Sequence, residues 1–397
     1  MKKIFIILAV LMAFTAHSQT GNKGKGKTKE KAKPSIPVVD PQEKPRETPP
    51  KKEKCCNWLA PVRTLKSWGF IDTTGAYVIN PQFDDAENFA DGLARVKKMG
   101  DWGYIDAKGT YVVNPQFDLN ENFIEDLAWV YKLKKWGFID RKGLIVVDYQ
   151  FSDAEDFHDG IARVRIGTTW GFIDTKAKYV INPQFTAVGE FINGLARARF
   201  GKDWGYVDKT GRWVINPQFS DAKDFCEGLA RVKKGNIWGF VDKTGTYVIN
   251  LQFEDAGDFH QGLASAKKMR QWGYVDDKGS WKISPQFDDA GDFIEGLAKV
   301  RKGKLWGFID PNGAYKINLQ FAAAEDFYEE AARVKRVNKW GFIDQTGKDL
   351  TNPQFDAAED FSQGFARVRK GSKWGFINKR GDLIVNCIFD QAGDFKK

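Results

Sequence analysis

Three sets of residues in this chain have types and spacings that could do chemistry. The first is acidic: Asp72, Asp106, Asp140, Asp174, Asp208, Asp242, Asp276, Asp310 and Asp344 recur every 34 residues. Regularly spaced carboxylates suggest acid–base work or a cation site. Calcium, however, needs about six to eight oxygen ligands close together, and here Lys or Thr follows within two residues of every Asp but Asp310. All but Asp174 stand three residues before a Gly. An Asp that opens a type I turn ending on a left-handed Gly explains the column without chemistry, and no metal is expected.

The second set is His158, Cys226 and His260, which share one repeat position. Zinc ligands must all lie about 2.0–2.3 Å from one ion, and side chains one and two repeats apart in a stack cannot converge so closely. The same separation removes a Cys–His nucleophile pair. No nucleophile–base–acid set and no phosphate-cradling Gly loop is visible. The chain therefore reads as a non-enzyme, with no catalytic residue and no cofactor.

The third set is basic. Arg163, Arg197, Arg231, Lys299, Arg333 and Arg367 repeat at one position, and Arg165, Arg199, Lys233, Lys267, Arg301, Lys335 and Arg369 repeat two residues later. Residues two apart share one face of a strand. Acids such as Asp156, Asp224, Asp258 and Asp292 recur just before them. One reading is a ladder of ion pairs, each worth little. The other is a basic stripe that tracks an anionic polymer, such as an acidic glycan, by many weak contacts. In one unit Trp129 and Tyr131 replace both basic residues. They could stack on a sugar, anchor a protein partner, or adjust packing. Trp129, Tyr131, Arg163, Arg165, Arg197, Arg199, Arg231 and Lys233 form the candidate binding surface.

These columns exist because the chain repeats. Trp-Gly begins at Trp68, Trp102, Trp136, Trp170, Trp204, Trp238, Trp272, Trp306, Trp340 and Trp374, always 34 residues apart. Extending the register backward gives ten units over residues 58–397. A 34-residue period also fits a helical tetratricopeptide array. Yet segments such as Leu93 to Lys98, Trp102 to Asp106 and Tyr111 to Asn114 are short, β-rich and separated by turn residues. A mid-unit Pro, as in Asn80-Pro81, would also break a helix pair. The unit reads as three short antiparallel strands.

Within a unit, the Ile79 column is apolar except at Thr351 and should face inward, while the Val78 column admits Lys282 and Lys316 and should face out. Apolar residues on both sides of the Trp-Gly strand predict that it is the most buried. Phe83, Ala86 and Phe89 are spaced by three, which suggests one tight helical turn facing the core. Ala177 alone replaces the turn Gly, which predicts strain of roughly 1 kcal/mol. Pro61 suits an edge strand, where it would blunt an exposed N-terminal edge. The expected architecture is all-β, an elongated β-solenoid or superhelical array. A closed propeller-like ring is the alternative, although propeller blades usually have four strands and about 40–45 residues.

The N-terminus has a different character. Lys2 and Lys3 precede an apolar run from Ile4 to Phe14, and Ala16-His17-Ser18 offers small residues for cleavage, so residues 1–18 read as a signal peptide. Residues 19–57 are rich in Lys and Pro and contain no aromatic residue, which predicts a disordered linker. It ends near Cys55-Cys56, a tether or a pair of incidental thiols. Eleven Lys and Arg against five Asp and Glu fall in this linker, which leaves the repeats nearly neutral. The basic pI therefore gives no reason to expect nucleic-acid binding by the repeats.

Units such as Gly228 to Lys234, then Trp238-Gly-Phe-Val-Asp-Lys-Thr-Gly245, then Val-Ile-Asn and Gln252-Phe253 resemble the bacterial WG (KWG) repeat. The resemblance spans all ten units. It implies an all-β repeat protein, often exported, with no established common activity. The expected function is thus a non-enzymatic binding scaffold, periplasmic, cell-surface or secreted, that engages a protein partner through its repeat surface. A binder of anionic glycans or other envelope polymers through the basic columns is the alternative.

Overall fold

A computed structural model describes residues 58–397; the expected signal peptide (1–18) and linker (19–57), with Cys55-Cys56, lie outside the described residues. Among the described residues all regular structure is β, forty strands in ten four-stranded antiparallel sheets. In one blade Asp153–His158, Ile161–Ile166, Thr169–Asp174 and Tyr179–Phe185 lie side by side in chain order. The last three are the strands expected from the sequence. The first is additional and shrinks to two residues in blades such as that of Ala187–Val188.

That first strand corrects the expected helical turn. Ala86 pairs with Val96, and Phe89 pairs with Ala94, across a register shift. Three steps along one strand oppose two along its partner, so a bulge turns two residues three apart to the same side. Phe83, Ala86 and Phe89 are all buried, as expected, but on extended backbone.

The Trp-Gly strand owes its glycine to a close approach. Trp68 pairs with Phe83 and Phe70 with Ile79, so two steps along one strand oppose four along the other. The bulged Asn80-Pro81 backbone folds over Gly69, where a Cβ would lie 2.5 Å from the Ile79 carbonyl oxygen. Any side chain there would displace the fourth strand. Beyond Gly69, Phe70 and Ile71 are fully buried. Trp102 and Trp238 are buried too, but the other eight Trp residues of the column are only half-buried.

The turn after this strand matches its expected chemistry. Gly75 N–H donates to the Asp72 carbonyl (2.9 Å) at φ 83°. Asp72 Oδ1 accepts from the N–H groups of Thr74 (2.8 Å) and Ala76 (3.1 Å). Ala177 holds the same turn at φ 63°.

The cores lie between blades. Phe70, Ile79 and Phe83 of one sheet cluster with Phe89, Ala94, Val96 and Ile105 of the next. Each turn glycine covers the inward-facing residue of the preceding blade: a Cβ on Gly109 would sit 3.2 Å from Ile79, and one on Gly211 3.1 Å from Ile181. At Thr351, the one polar member of that column, the buried hydroxyl accepts from Phe342 N–H at 3.0 Å.

The same contact closes the structure. A Cβ on Gly75, in the first blade, would lie 3.3 Å from Val385 of the last. The final strand, Gln391–Ala392, completes the first blade, pairing Arg63 with Gln391 and Val62 with Ala392. Leu59 and Lys396 exchange backbone hydrogen bonds of 2.9 and 3.0 Å. The repeats therefore form a ten-bladed β-propeller, and the closed ring replaces the elongated array as the architecture. Each unit specifies only its seat on the next one, and the accumulated rotation becomes a full turn at ten. Pro61 is corrected with it: its edge is covered, and its carbonyl accepts from Gly393 N–H at 2.8 Å.

Candidate binding surfaces

The second strand of each blade carries both basic columns, and the register sets their neighbours. Arg165, Arg199 and Lys233 lie directly across from Trp170, Trp204 and Trp238. Arg165 sits 5.4 Å from the Trp170 ring centre and Lys233 5.4 Å from that of Trp238. Cations at this distance over indole are attracted by the ring quadrupole. Arg165 also pairs with Asp153 at 2.9 Å, and Arg199 Nε donates to the Lys202 carbonyl at 3.3 Å. The outer faces of the half-buried tryptophans are thus covered by their own blade.

Members of the other column reach into the following blade. Arg197 Nε pairs with Asp224 at 2.9 Å and its Nη1 donates to the Ala222 carbonyl at 3.2 Å. Arg231 pairs with Asp258 at 2.8 Å, Arg333 with Asp360 at 2.6 Å and Arg367 with Asp394 at 2.6 Å. Lys299 meets Asp326 at 3.3 Å and Arg163 meets Glu190 at 3.4 Å. The sequence suggested pairing with the acid of the same unit, seven residues earlier. Most partners instead lie 27 residues later, and Arg333 is almost fully buried.

Trp129 fits the same lattice. Its Nε1–H donates to Asp156 Oδ1 at 2.8 Å, the acid 27 residues on, and its ring lies 4.4 Å from that of Trp136. Tyr131 also packs against Trp136, its ring centre 4.9 Å away. Ser265, like Pro61, offers no cation, and Asp292 faces His260 Nε2 at 3.5 Å. Burial pushes the Asp292 carboxyl above its ordinary range, opposed chiefly by His260.

His158, Cys226 and His260 stay apart in separate blades, His158 lying 3.9 Å from Glu190. Cys226 Sγ–H donates to the Phe259 carbonyl at 2.9 Å, and burial pushes the thiol up to about 11. Among the described residues no group of three or more His, Cys, Asp and Glu is gathered to hold a metal. The turn acids are likewise held in place. The Thr210 hydroxyl, offset by some desolvation and joined by the Thr210 and Arg212 N–H groups, holds Asp208 below the usual carboxylate range.

Residues 68–100, 102–136, 136–167, 170–202, 204–236, 238–268, 272–306, 306–340, 340–374 and 374–397 each match the family described as WG containing repeat. The chain belongs to the WG repeat family. Each WG match begins at the third strand of one blade and runs on into the next, so the sequence repeat and the structural blade are out of phase. That offset lets the last WG repeat complete the first blade. Among curated proteins no relative matches this WG chain.

Of solved structures, one titled as the eukaryotic initiation factor aligns at a TM-score of 0.50 with 10% identity, covering 85% of this chain and 98% of its own. Hsv2p of Kluyveromyces lactis aligns at a TM-score of 0.35 with 9% identity, covering 56% and 91%. At such identity the first likeness concerns fold alone. Among the described residues no helix is long and apolar enough to cross a membrane.

Proposed function

We propose that this propeller is an exported, non-enzymatic scaffold that engages a protein partner through the loops on its rims. The observation that carries the reading is the fate of the chemically capable side chains. Column arginines reach the acids of the next blade, the turn acids cap their own turns, and Cys226 donates to a carbonyl. These engagements support a role for surface over chemistry, and repeats are well suited to presenting large surfaces. The apolar run near the N-terminus supports an extracytoplasmic setting.

Crosslinking of the full chain in the producing organism, followed by mapping of the crosslinked residues, tests this. The reading requires a discrete partner whose crosslinks concentrate in the inter-strand loops and fade when those loops are substituted. Crosslinks no more abundant than with an unrelated exported protein would refute it. The glycan reading has less support, because the first basic column is engaged between blades. Retention on acidic polysaccharide that disappears in Arg165→Gln/Arg199→Gln would restore it.

A further inference from the structure

The hairpins joining second to third strands carry a feature that neither the fold nor the scaffold reading explains. Their tips adopt the left-handed conformation in every blade. Five place glycine there: Gly167, Gly201, Gly235, Gly303 and Gly371, at φ 58–64°. The other five place Leu65, Met99, Leu133, Met269 and Val337 there, at φ 51–58°. Backbone energetics favour Gly at such a position, and a β-branched residue such as Val337 is an outlier. All five side chains are 76–90% exposed, so no packing within the ring offsets the strain.

Where the tip is glycine, the apolar side chain moves to its flank. Ile166, Phe200, Ile237 and Leu305, each within two residues of a tip glycine, are 42–60% exposed. Nine of ten hairpins thus display one large exposed apolar residue, and only 370–373 has none. The ten four-residue hairpins also hold fifteen Lys or Arg against two Asp, and cations stay in excess on this rim after Asp84, Asp118, Glu254, Asp288, Asp356 and Asp390 of the adjoining connections are included. Acids on the adjoining connections steady the tips: Asp390 accepts from Leu65 N–H at 2.8 Å, and Asp288 and Asp356 accept from Gly303 and Gly371 N–H at 2.6 Å.

Because each hairpin joins the same two strands of its blade, the ring sets all ten on one rim. We propose that this rim docks on a lipid bilayer bearing anionic headgroups, the apolar tips entering the headgroup–acyl boundary and the flanking cations meeting the phosphates. Apolar side chains gain on entering that boundary, and clustered Lys and Arg are drawn to anionic lipid. The spacing favours a bilayer over a protein. One apolar residue per blade, distributed around a ring, leaves no single patch of the kind that anchors a protein interface, whereas a bilayer accepts each tip separately. This inference goes beyond the scaffold reading and does not depend on it.

The test is sedimentation of the full chain with vesicles of phosphatidylethanolamine and phosphatidylglycerol, and with vesicles of phosphatidylcholine alone. The informative variant is Leu65→Gly/Met99→Gly/Leu133→Gly/Met269→Gly/Val337→Gly. It removes the tips at positions where glycine is the better backbone choice, so its melting temperature should equal or exceed that of the parent. Both proteins keep the same Lys-rich residues 19–57, so their difference reports the rim. We expect the parent to bind anionic vesicles in preference, with binding that falls as salt rises, and the five-glycine variant to bind at least about tenfold more weakly. Equal binding by the two proteins overturns the proposal. So does a parent that ignores vesicles while the variant loses a crosslinked protein partner, which would assign the rim to that protein.

Discussion

Arg333 Nε lies 2.6 Å from Asp360 Oδ1, although the two residues belong to neighbouring blades and are 27 positions apart. The Arg333 Nη1 also donates to the Ala358 carbonyl in that next blade. One side chain thus satisfies a strand end and a carboxylate across the interface. Removing one partner of a buried pair leaves the other uncompensated. Here Glu359 remains 3.6 Å from Arg333 Nη1, so Asp360→Asn should lower stability by about 1.5–2 kcal/mol, the loss of one charge-assisted hydrogen bond, in denaturant unfolding. A midpoint unmoved by that change would show that the lattice is decorative.

Trp129 stands in for an arginine by donating to Asp156 at 2.8 Å and stacking on Trp136. Trp129→Ala should cost about 3 kcal/mol, while Trp129→Arg, which restores the column residue, should stay within about 1 kcal/mol of the parent. Paired thermal melts decide it, and equal losses in both variants would count against the substitution logic.

The pairing leaves a sequence trace that a unit-by-unit reading overlooks. Where the basic column carries Pro61, the residue 27 positions later is Asn88; where it carries Arg, that residue is mostly acidic. The 34-residue register, the turn role of Asp72 and Gly75, and the inward Ile79 column were all legible, because each depends on local backbone chemistry. Closure was not, since identical neighbour contacts define a rotation per unit but not its sum. Nor was the bulged first strand, because a spacing of three is shared by a helical turn and a bulge. The apolar rim does leave a trace, since Leu65, Met99, Leu133, Met269 and Val337 replace glycine in one column.

Ala177 holds a left-handed turn at φ 63°, and its methyl packs against the cluster of Phe138 and Val147. Relief of the backbone strain, roughly 1 kcal/mol or more, should exceed the lost methyl contact and the added chain entropy. Ala177→Gly is expected to stabilise the ring by about 0.5–1 kcal/mol. A lower melting temperature in calorimetry would contradict the turn assignment.

Asp292 should give the ring a pH dependence of its own. Its carboxyl is raised by burial, opposed by His260 and Arg231 and reinforced by Asp258 and Asp326. A folded-state pKa above the unfolded one means that the native state holds the extra proton. Stability is then greatest below the unfolded value, near 3.8, and declines as pH rises through the folded value. Asp292→Asn removes that decline. Urea midpoints of parent and variant across this window should diverge as pH rises, the variant becoming relatively more stable. Parallel curves would refute the assignment.

The closed ring is the claim on which the single apolar rim depends. Spin labels at Arg63→Cys and Gln391→Cys, in a chain with the other cysteines replaced, test it directly by dipolar distance measurement. The two positions are strand partners, so their Cα atoms should lie about 5 Å apart, and the measured distance should exceed this only by the reach of the labels. An open array of ten stacked sheets at about 10 Å each would place them on the order of 90 Å apart. A short, narrow distance confirms the ring; a long or absent dipolar signal would contradict it.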